Sequence, residues 1–251
     1  MQDALLSKKD LDFTLADSIL GVLIASIVIL LWLSSLIFFL YMDISQVPVF
    51  WIVPAVLLRA FLHTGIFITA HDAMHGTIFP KNHQVNNFIG SLAARMYVLL
   101  PYKMLLEKHR LHHRYPASEK DPDFCEHGLK NPFLWYFSFM KGYLEGRQSW
   151  VLLIGMSIIF YSLLWGLNIP MINLILFWLL PLFLSSIQLF YFGILLPHRQ
   201  PKGGYTNRHR AQSSNFSTFW SFITCYHFGY HWEHHEYPNL PWYKLPLVVK
   251  S

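Results

Sequence analysis

The stretch QSWVLLIGMSIIFYSLLWGLNIPMINLILFWLLPLFLSSIQLFYFGILLP, residues 148–197, runs for 50 residues without a charged side chain. About 20 residues, rising about 1.5 Å each, carry a helix across a hydrocarbon core of about 30 Å. The stretch is therefore long enough to cross a bilayer twice. Gly166, Asn168 and Pro170 interrupt it near its middle and supply a turn. A hairpin of two spanning helices, over about 150–167 and 172–196, is expected.

Two further spans precede it. Ser18 to Met42 gives 25 consecutive uncharged residues, and Val47 to Ala70 is apolar apart from Arg59 and His63. Spans are expected over about 18–42 and 47–70, the second running straight into His71. The whole composition agrees: 54% of the 251 residues are apolar and 13% are charged, where a soluble domain carries about a quarter. The fold class read from this is an all-α integral membrane protein with four transmembrane helices, forming one domain over residues 1–251. Asn86–Leu106 and Pro132–Gly146 are aromatic-rich but interrupted by Arg95, Pro101 and Lys141, which suits helices lying in the membrane interface.

Charge sets the orientation. The connectors Asp43–Gln46 and Asn168–Met171 hold no Lys or Arg, whereas the N-terminus, the 76–147 segment and the 198–251 tail hold every basic residue except Arg59. By the positive-inside rule both termini and both large polar segments face the cytoplasm. The charged N-terminus, with Lys8, Lys9 and Asp10, has no cleavable signal-peptide pattern. The net charge of +5 is scattered without a run, which argues against nucleic acid as a partner. Cys125 and Cys225 are the two cysteines and stand in no redox or metal spacing.

Histidine is the compositional outlier, at 14 residues. Three clusters stand out: His71-Asp72-Ala73-Met74-His75, His109-Arg110-Leu111-His112-His113 and His231-Trp232-Glu233-His234-His235. On a helix, residues three and four apart share a face. Each cluster can therefore aim two or three imidazoles at one point. His198, at the end of the fourth span, can reach the same centre, and the nine together exceed what one ion needs, so two metals are implied. The metal-ligand set is His71, His75, His109, His112, His113, His198, His231, His234 and His235. Imidazole without thiolate suits Fe, Zn, Cu or Ni. The first cluster lacks the Glu of a zinc-peptidase HExxH, which disfavours a zinc hydrolase. A pair of irons that activates O2 fits better.

Around these ligands, Asp72 is expected to accept a hydrogen bond from a ligand imidazole. His227 is read as a ligand, an outer hydrogen-bond donor or a channel residue, on the His231 stripe if that helix extends back far enough. His63 with Arg59 is expected to make a buried polar contact within the spans. His83, His127 and His209 sit in polar, turn-like contexts and are expected to be solvated, and Asp121-Pro122-Asp123 reads as a turn. A transporter or sensor with no enzymatic activity would place its ligands inside the spans, whereas these clusters lie at the span ends.

Three histidine boxes with these spacings on four spans are similar to the membrane fatty acid desaturase and hydroxylase superfamily. The longer strings Phe67-Ile68-Thr69-Ala70-His71-Asp72-Ala73-Met74-His75-Gly76, Lys108-His109-Arg110-Leu111-His112-His113-Arg114, Leu196-Pro197-His198-Arg199 and Tyr226-His227-Phe228-Gly229-Tyr230-His231-Trp232-Glu233-His234-His235-Glu236-Tyr237-Pro238 resemble the β-carotene ketolases within it. The resemblance implies two non-haem iron ions, O2 as co-substrate and electrons from reduced ferredoxin or a similar donor. It implies oxygenation at C4 and C4′ of β-ionone rings, turning β-carotene into echinenone and canthaxanthin, or zeaxanthin into astaxanthin. Each ring carbon would be hydroxylated twice, and the geminal diol would lose water. A carotene hydroxylase or a fatty acid desaturase or hydroxylase is the alternative in the same superfamily. Two places depart from the ketolase pattern: Ile194-Leu195 stands where a Thr-aromatic pair is expected, and Trp232 where a polar residue or His is expected. Both bear on substrate preference more than on reaction class.

Overall fold

The computed structural model describes residues 14–126 and 131–249, and every regular element among them is helical. Besides short 3-10 turns at Ile44–Gln46 and Trp242–Leu247, in chain order these are α1 (Leu15–Tyr41), α2 (Val49–Met74), α3 (His83–Val98), α4 (Tyr102–Arg114), α5 (Pro132–Tyr143), α6 (Arg147–Gly166), α7 (Met171–His198), α8 (Thr218–Cys225) and α9 (His231–Glu236). Helices α1, α2, α6 and α7 are long and apolar enough to span a membrane. The four expected spans are all present. The second and fourth run further than expected, so His71 falls in the last turn of α2 and His198 is the last residue of α7.

Helix α1 begins at a capping box, in which the Thr14 hydroxyl accepts from Asp17 N at 3.2 Å and the Asp17 carboxylate accepts from Thr14 N at 2.9 Å. Its buried residues Gly21, Ala25, Val28 and Trp32 recur at helical spacing and face the bundle, while Leu23, Ile27, Leu30 and Leu31 point outward. Such an outward apolar face suits lipid. At the far end Asn173 closes the turn between spans: its side-chain amide donates to the carbonyls of Phe39, Leu40 and Met42 at 2.8–3.0 Å. These carbonyls lack partners within α1 because its helix ends there.

Arg59 is fully buried between spans. It donates to Trp32 O at 2.9 Å, Ser35 Oγ at 2.7 Å and Phe177 O at 3.1 Å, linking α1, α2 and α7. His63 accepts from Trp32 Nε1 at 2.9 Å. The expected buried polar contact is present, with Trp32 serving both residues.

Over Asn86–Leu106, interrupted by Pro101 and expected to be helical in the membrane interface, the chain forms two helices, α3 and α4. Leu99 takes a left-handed conformation with φ of 55° and Pro101 follows, so α3 stops and α4 starts in a new direction. Nor does α3 lie across the end of α2. Asn86 Nδ2 donates to Ala73 O at 2.5 Å, and Tyr97 stacks on His63 with ring centroids 4.6 Å apart. Those partners lie ten residues apart on α2, about 15 Å of helix, so α3 runs antiparallel beside it. The close approach at Gly90 admits Tyr102: a Cβ there would stand 2.4 Å from the Tyr102 ring.

Both ends of the described chain meet at one end of the bundle. Lys244 Nζ lies 2.5 Å from Asp17 Oδ1, and Trp242 N donates to Asp72 Oδ2 at 3.1 Å. The histidine clusters are at that same end.

Candidate metal centre

Three elements carry the boxes. The last turn of α2 presents His71 and leads to His75, α4 presents His109, His112 and His113, and α9 presents His231, His234 and His235, with His198 ending α7. A π-type turn over Tyr191–Leu195 precedes His198, and such turns recur at functional sites. Within it Gly193 lets α7 touch Phe228, since a Cβ there would stand 2.4 Å from the Phe228 ring. Phe228 in turn meets the His71 ring edge to face at 4.8 Å.

All nine expected ligands come together, in two groups. His71, His75, His109 and His234 form one and His112, His198, His231 and His235 the other, with one ring nitrogen of each member within 4.8 Å of the others in its group. His113 belongs beside the first group, its Nε2 being 2.9 Å from His234 Nε2, and its ring stacks on His235 at 4.2 Å. Between Nε2 atoms the distances are 2.6 Å for His75 and His109, 3.0 Å for His198 and His231, 3.1 Å for His231 and His235, and 3.2 Å for His112 and His235. Two nitrogens bound at right angles to one ion, each about 2.1 Å from it, stand about 3 Å apart. The spacing therefore fits shared ions.

The protonation chemistry agrees. Burial, reinforced by the charge of neighbouring imidazoles, holds His109, His113, His231, His234 and His235 well below the usual imidazole pKa. Burial and His112 together lower His75 to about 3. Neutral imidazole is the metal-binding form. Both ring nitrogens of His71 are buried without a hydrogen-bond partner, as are Nδ1 of His231 and His235. A buried polar atom left unpaired costs about 1–3 kcal/mol, so the unpartnered nitrogens of His71 leave it free to bind an ion. The donor set fits two metals.

Outer contacts orient two members of the second group. His112 Nδ1 donates to both oxygens of Asp121, at 3.1 and 3.0 Å, and His198 Nδ1 donates to Arg210 O at 2.9 Å. Each contact fixes the tautomer and turns Nε2 inward. Burial opposes a charge on His112, but Asp121 outweighs it and raises its pKa above the usual value. Asp121 also accepts from Ala117 N at 2.8 Å and Asp123 N at 3.0 Å. The sequence shows Asp121 only as part of a turn, because its contact with His112 depends on how the loop after α4 folds back on that helix. Asp72 does not make the expected hydrogen bond to a ligand imidazole: its Oδ1 stands 3.6 Å from His71 Nδ1, beyond hydrogen-bond reach, and its other oxygen accepts from Trp242 N at 3.1 Å.

His227 does not join either group. Tyr226 and His227 are both left-handed, with φ of 47° and 61°, so α9 starts only at His231 and the stripe does not extend back. The His227 ring stacks on Tyr230 at 5.6 Å and lies near Trp242. His83 is exposed as expected, and His127 lies outside the described residues. His209, expected to be solvated, is 13% exposed in its side chain, bonds Glu236 at 2.8 Å and has its ring 5.6 Å from that of His235. The fold covers it because the loop carrying it closes over the second group.

A small cavity opens onto both groups. Its walls include Phe67, Met74, Leu105, Phe139, Leu189, Ile194 and Phe228, with His71, His109, His112 and His231 at one end. Asp123 and Tyr143 add a polar edge, the Tyr143 hydroxyl donating to Asp123 Oδ1 at 2.7 Å. Burial raises Asp123 to about 6. Of the two departures from the ketolase pattern, Ile194 lines this cavity, whereas Trp232 packs near His209.

Comparison with known proteins adds identity to this geometry. The fatty acid desaturase family profile matches residues 45–154 and 136–250. A β-carotene ketolase of Paracoccus sp. (strain PC1) is 37% identical over 243 residues, 95% of this chain and 96% of that protein. A second, of Paracoccus sp. (strain N81106 / MBIC 01143), is 41% identical over 186 residues, 74% of each chain. The zeaxanthin 4-ketolase of Chlamydomonas reinhardtii is 36% identical over 238 residues, 90% of this chain and 52% of its own. No solved structure matches significantly.

Proposed function

Because the chain belongs to the fatty acid desaturase family and groups there with the β-carotene ketolases, we propose that it is a membrane di-iron oxygenase that places keto groups at C4 and C4′ of β-ionone rings. Its substrate is β-carotene or the related zeaxanthin. The observation that carries this reading is the convergence of nine histidines, in two groups, on one apolar cavity.

His71, His75, His109 and His234, with His113 beside them, would hold one iron, and His112, His198, His231 and His235 the other. Bound iron would supply activation of O2 with electrons from a reduced ferredoxin or similar donor. The chain's own part is position and exclusion. Asp121 and the Arg210 carbonyl keep the Nδ1 protons of His112 and His198 away from the ions, leaving Nε2 free to bind. Phe67, Leu105, Phe139, Leu189, Ile194 and Phe228 hold an apolar ring against the site and keep water from it. Ile194, as a cavity wall, would influence which ring is accepted. The outward apolar faces of the spans put a membrane-dissolved polyene within reach by lateral entry.

The same reading makes the chain one domain over residues 1–251, with the metal site and both termini on the cytoplasmic side. Pigment analysis of a β-carotene-producing bacterial host tests it, beside a His112→Ala control. Echinenone and canthaxanthin should appear with the wild type alone. A 3-hydroxylated carotenoid or altered lipid unsaturation would refute C4 ketolation while keeping the oxygenase.

A further inference from the structure

The cavity before the histidines is apolar except at one edge. Apart from the four imidazoles at its end, Asp123 and Tyr143 are its polar lining residues. Asp123, in the loop between α4 and α5, is 5% exposed, and burying a carboxylate without a partner is costly. Its backbone is fixed on both sides, since Asp123 N donates to Asp121 Oδ1 at 3.0 Å and Asp123 O accepts from Trp135 Nε1 at 2.8 Å. One side-chain oxygen is also engaged. Tyr143, the last residue of α5, donates to Oδ1 at 2.7 Å. Lys108 of α4 steadies that ring, with Nζ 4.7 Å from its centroid and donating to Gly142 O at 2.7 Å. The other oxygen, Oδ2, accepts no hydrogen bond among the described residues, yet it is not sealed from the surrounding space.

This carboxylate stands beside the metal centre. One oxygen of Asp123, one of Asp121 and a ring nitrogen of His112 lie within 4.8 Å of one another. Asp121 spends its oxygens on His112 and two backbone amides, whereas Asp123 makes no hydrogen bond to any of the nine histidines. A fixed acceptor with one free oxygen, at the polar edge of an apolar cavity, suits a hydroxyl carried on an apolar ring.

We infer that Asp123, positioned by Tyr143, accepts a hydrogen bond from the C4 hydroxyl that a first oxygenation leaves on the ring. The inference rests on the ketolase reading and explains why the reaction continues past the alcohol. Each oxygenation puts one oxygen atom of O2 into a C–H bond and reduces the other to water with two electrons from the donor and two protons. The diol made by the second then loses water to give the ketone. The starting methylene carries hydrogen on both faces of the ring and needs no polar contact. The alcohol has one C4 hydrogen left, so its hydroxyl must turn aside for that hydrogen to face the histidines. Apolar walls give a buried hydroxyl no partner there, and leaving it unpaired is costly. Asp123 Oδ2 supplies the partner.

The test compares the full-length, iron-loaded wild type with Asp123→Leu, Asp123→Asn and Tyr143→Phe in nanodiscs. Calorimetry with β-ionone and with its 4-hydroxy derivative, no reductant being present, reads binding without turnover. Asp123→Leu should bind the 4-hydroxy compound about tenfold or more weakly, the size of one lost hydrogen bond to a charged group. Its affinity for β-ionone should match the wild type. In β-carotene-producing cells the ratio of 4-hydroxylated to 4-keto rings should rise by a similar factor. Tyr143→Phe, which releases Oδ1, should move both readings in the same direction by less. Asp123→Asn keeps a polar atom for the hydroxyl and should recover part of the loss. Should Asp123→Leu hold no iron, the other two variants carry the test. Equal affinity for the 4-hydroxy compound in wild type and variants would overturn the proposal, as would less ketone without a build-up of alcohol. An effect seen in zeaxanthin-producing cells alone would place a C3 hydroxyl at Asp123 and overturn it too. A wild type that forms ketone from neither carotenoid would bring down the ketolase reading itself.

Discussion

Replacing Asp121 by Asn should empty one metal position without unfolding the protein. Asp121 uses both oxygens: Oδ1 accepts from His112 Nδ1 and Asp123 N, Oδ2 from His112 Nδ1 and Ala117 N, all at 2.8–3.1 Å. An asparagine of the same shape keeps one acceptor and turns an NH2 donor toward donors. If its oxygen faces Ala117 N, the NH2 faces Asp123 N, and the reverse holds for the other flip. His112 then gains by presenting Nδ1 as an acceptor, which moves its proton to Nε2 and removes the lone pair that faces the second group. Loss of such an outer partner weakens metal binding about 10–100-fold, or about 1.4–2.8 kcal/mol. Chelator competition followed by elemental analysis reads this directly. Stoichiometry in the variant should fall from two ions toward one as the chelator is raised, while the first group keeps its ion. Asp121→Asn protein that holds both ions with wild-type affinity would refute the orienting role of Asp121.

Four other outcomes follow from particular contacts. In metal-free protein His75 sits at about 3 and its neighbours well below the usual imidazole value, through burial first, whereas the unfolded chain titrates near 6.5. Protons are thus taken up more by the unfolded chain as pH falls below about 6.5, so stability drops on acidification; a chelator-treated sample whose Tm is flat between about pH 7 and pH 5 would contradict this. Gly193→Val drives a side chain into Phe228, which a Cβ alone would meet at 2.4 Å; overpacking should cost about 1–3 kcal/mol and lower ketocarotenoid yield, read by thermal unfolding and pigment chromatography. Arg59→Met removes the donor to Phe177 O and one of the bonds at Trp32 O and Ser35 Oγ, which keep their bond to each other at 3.0 Å; at about 1–3 kcal/mol for a buried polar group left unpaired, the detergent-solubilised Tm should fall, and an unchanged Tm would show that water replaces the guanidinium. His227→Ala should leave metal content unchanged, because its ring packs on Tyr230 away from both groups; a loss of metal in folded protein would restore it as a ligand.

The long apolar helices and the histidine clusters were legible in the chain because each depends on local pattern. A run of 50 uncharged residues with a turn near its middle has few solutions other than a membrane hairpin, and i, i+3, i+4 histidines share a face wherever they sit on a helix. What remained hidden was whatever depends on how loops fold back against the helices. Asp121 looked like a turn residue until α4 brought His112 against it, and His209 looked solvated until its loop closed over His235. The α9 stripe stopped at His231 because Tyr226 and His227 adopt left-handed backbone that their residue types do not announce. Composition and periodicity thus determined that the chain carries four helices long and apolar enough to cross a membrane and histidines enough for two ions. Tertiary structure alone decided which imidazoles gather in each group, which carboxylate bonds His112 and which apolar walls face them, because those choices rest on packing between separate segments.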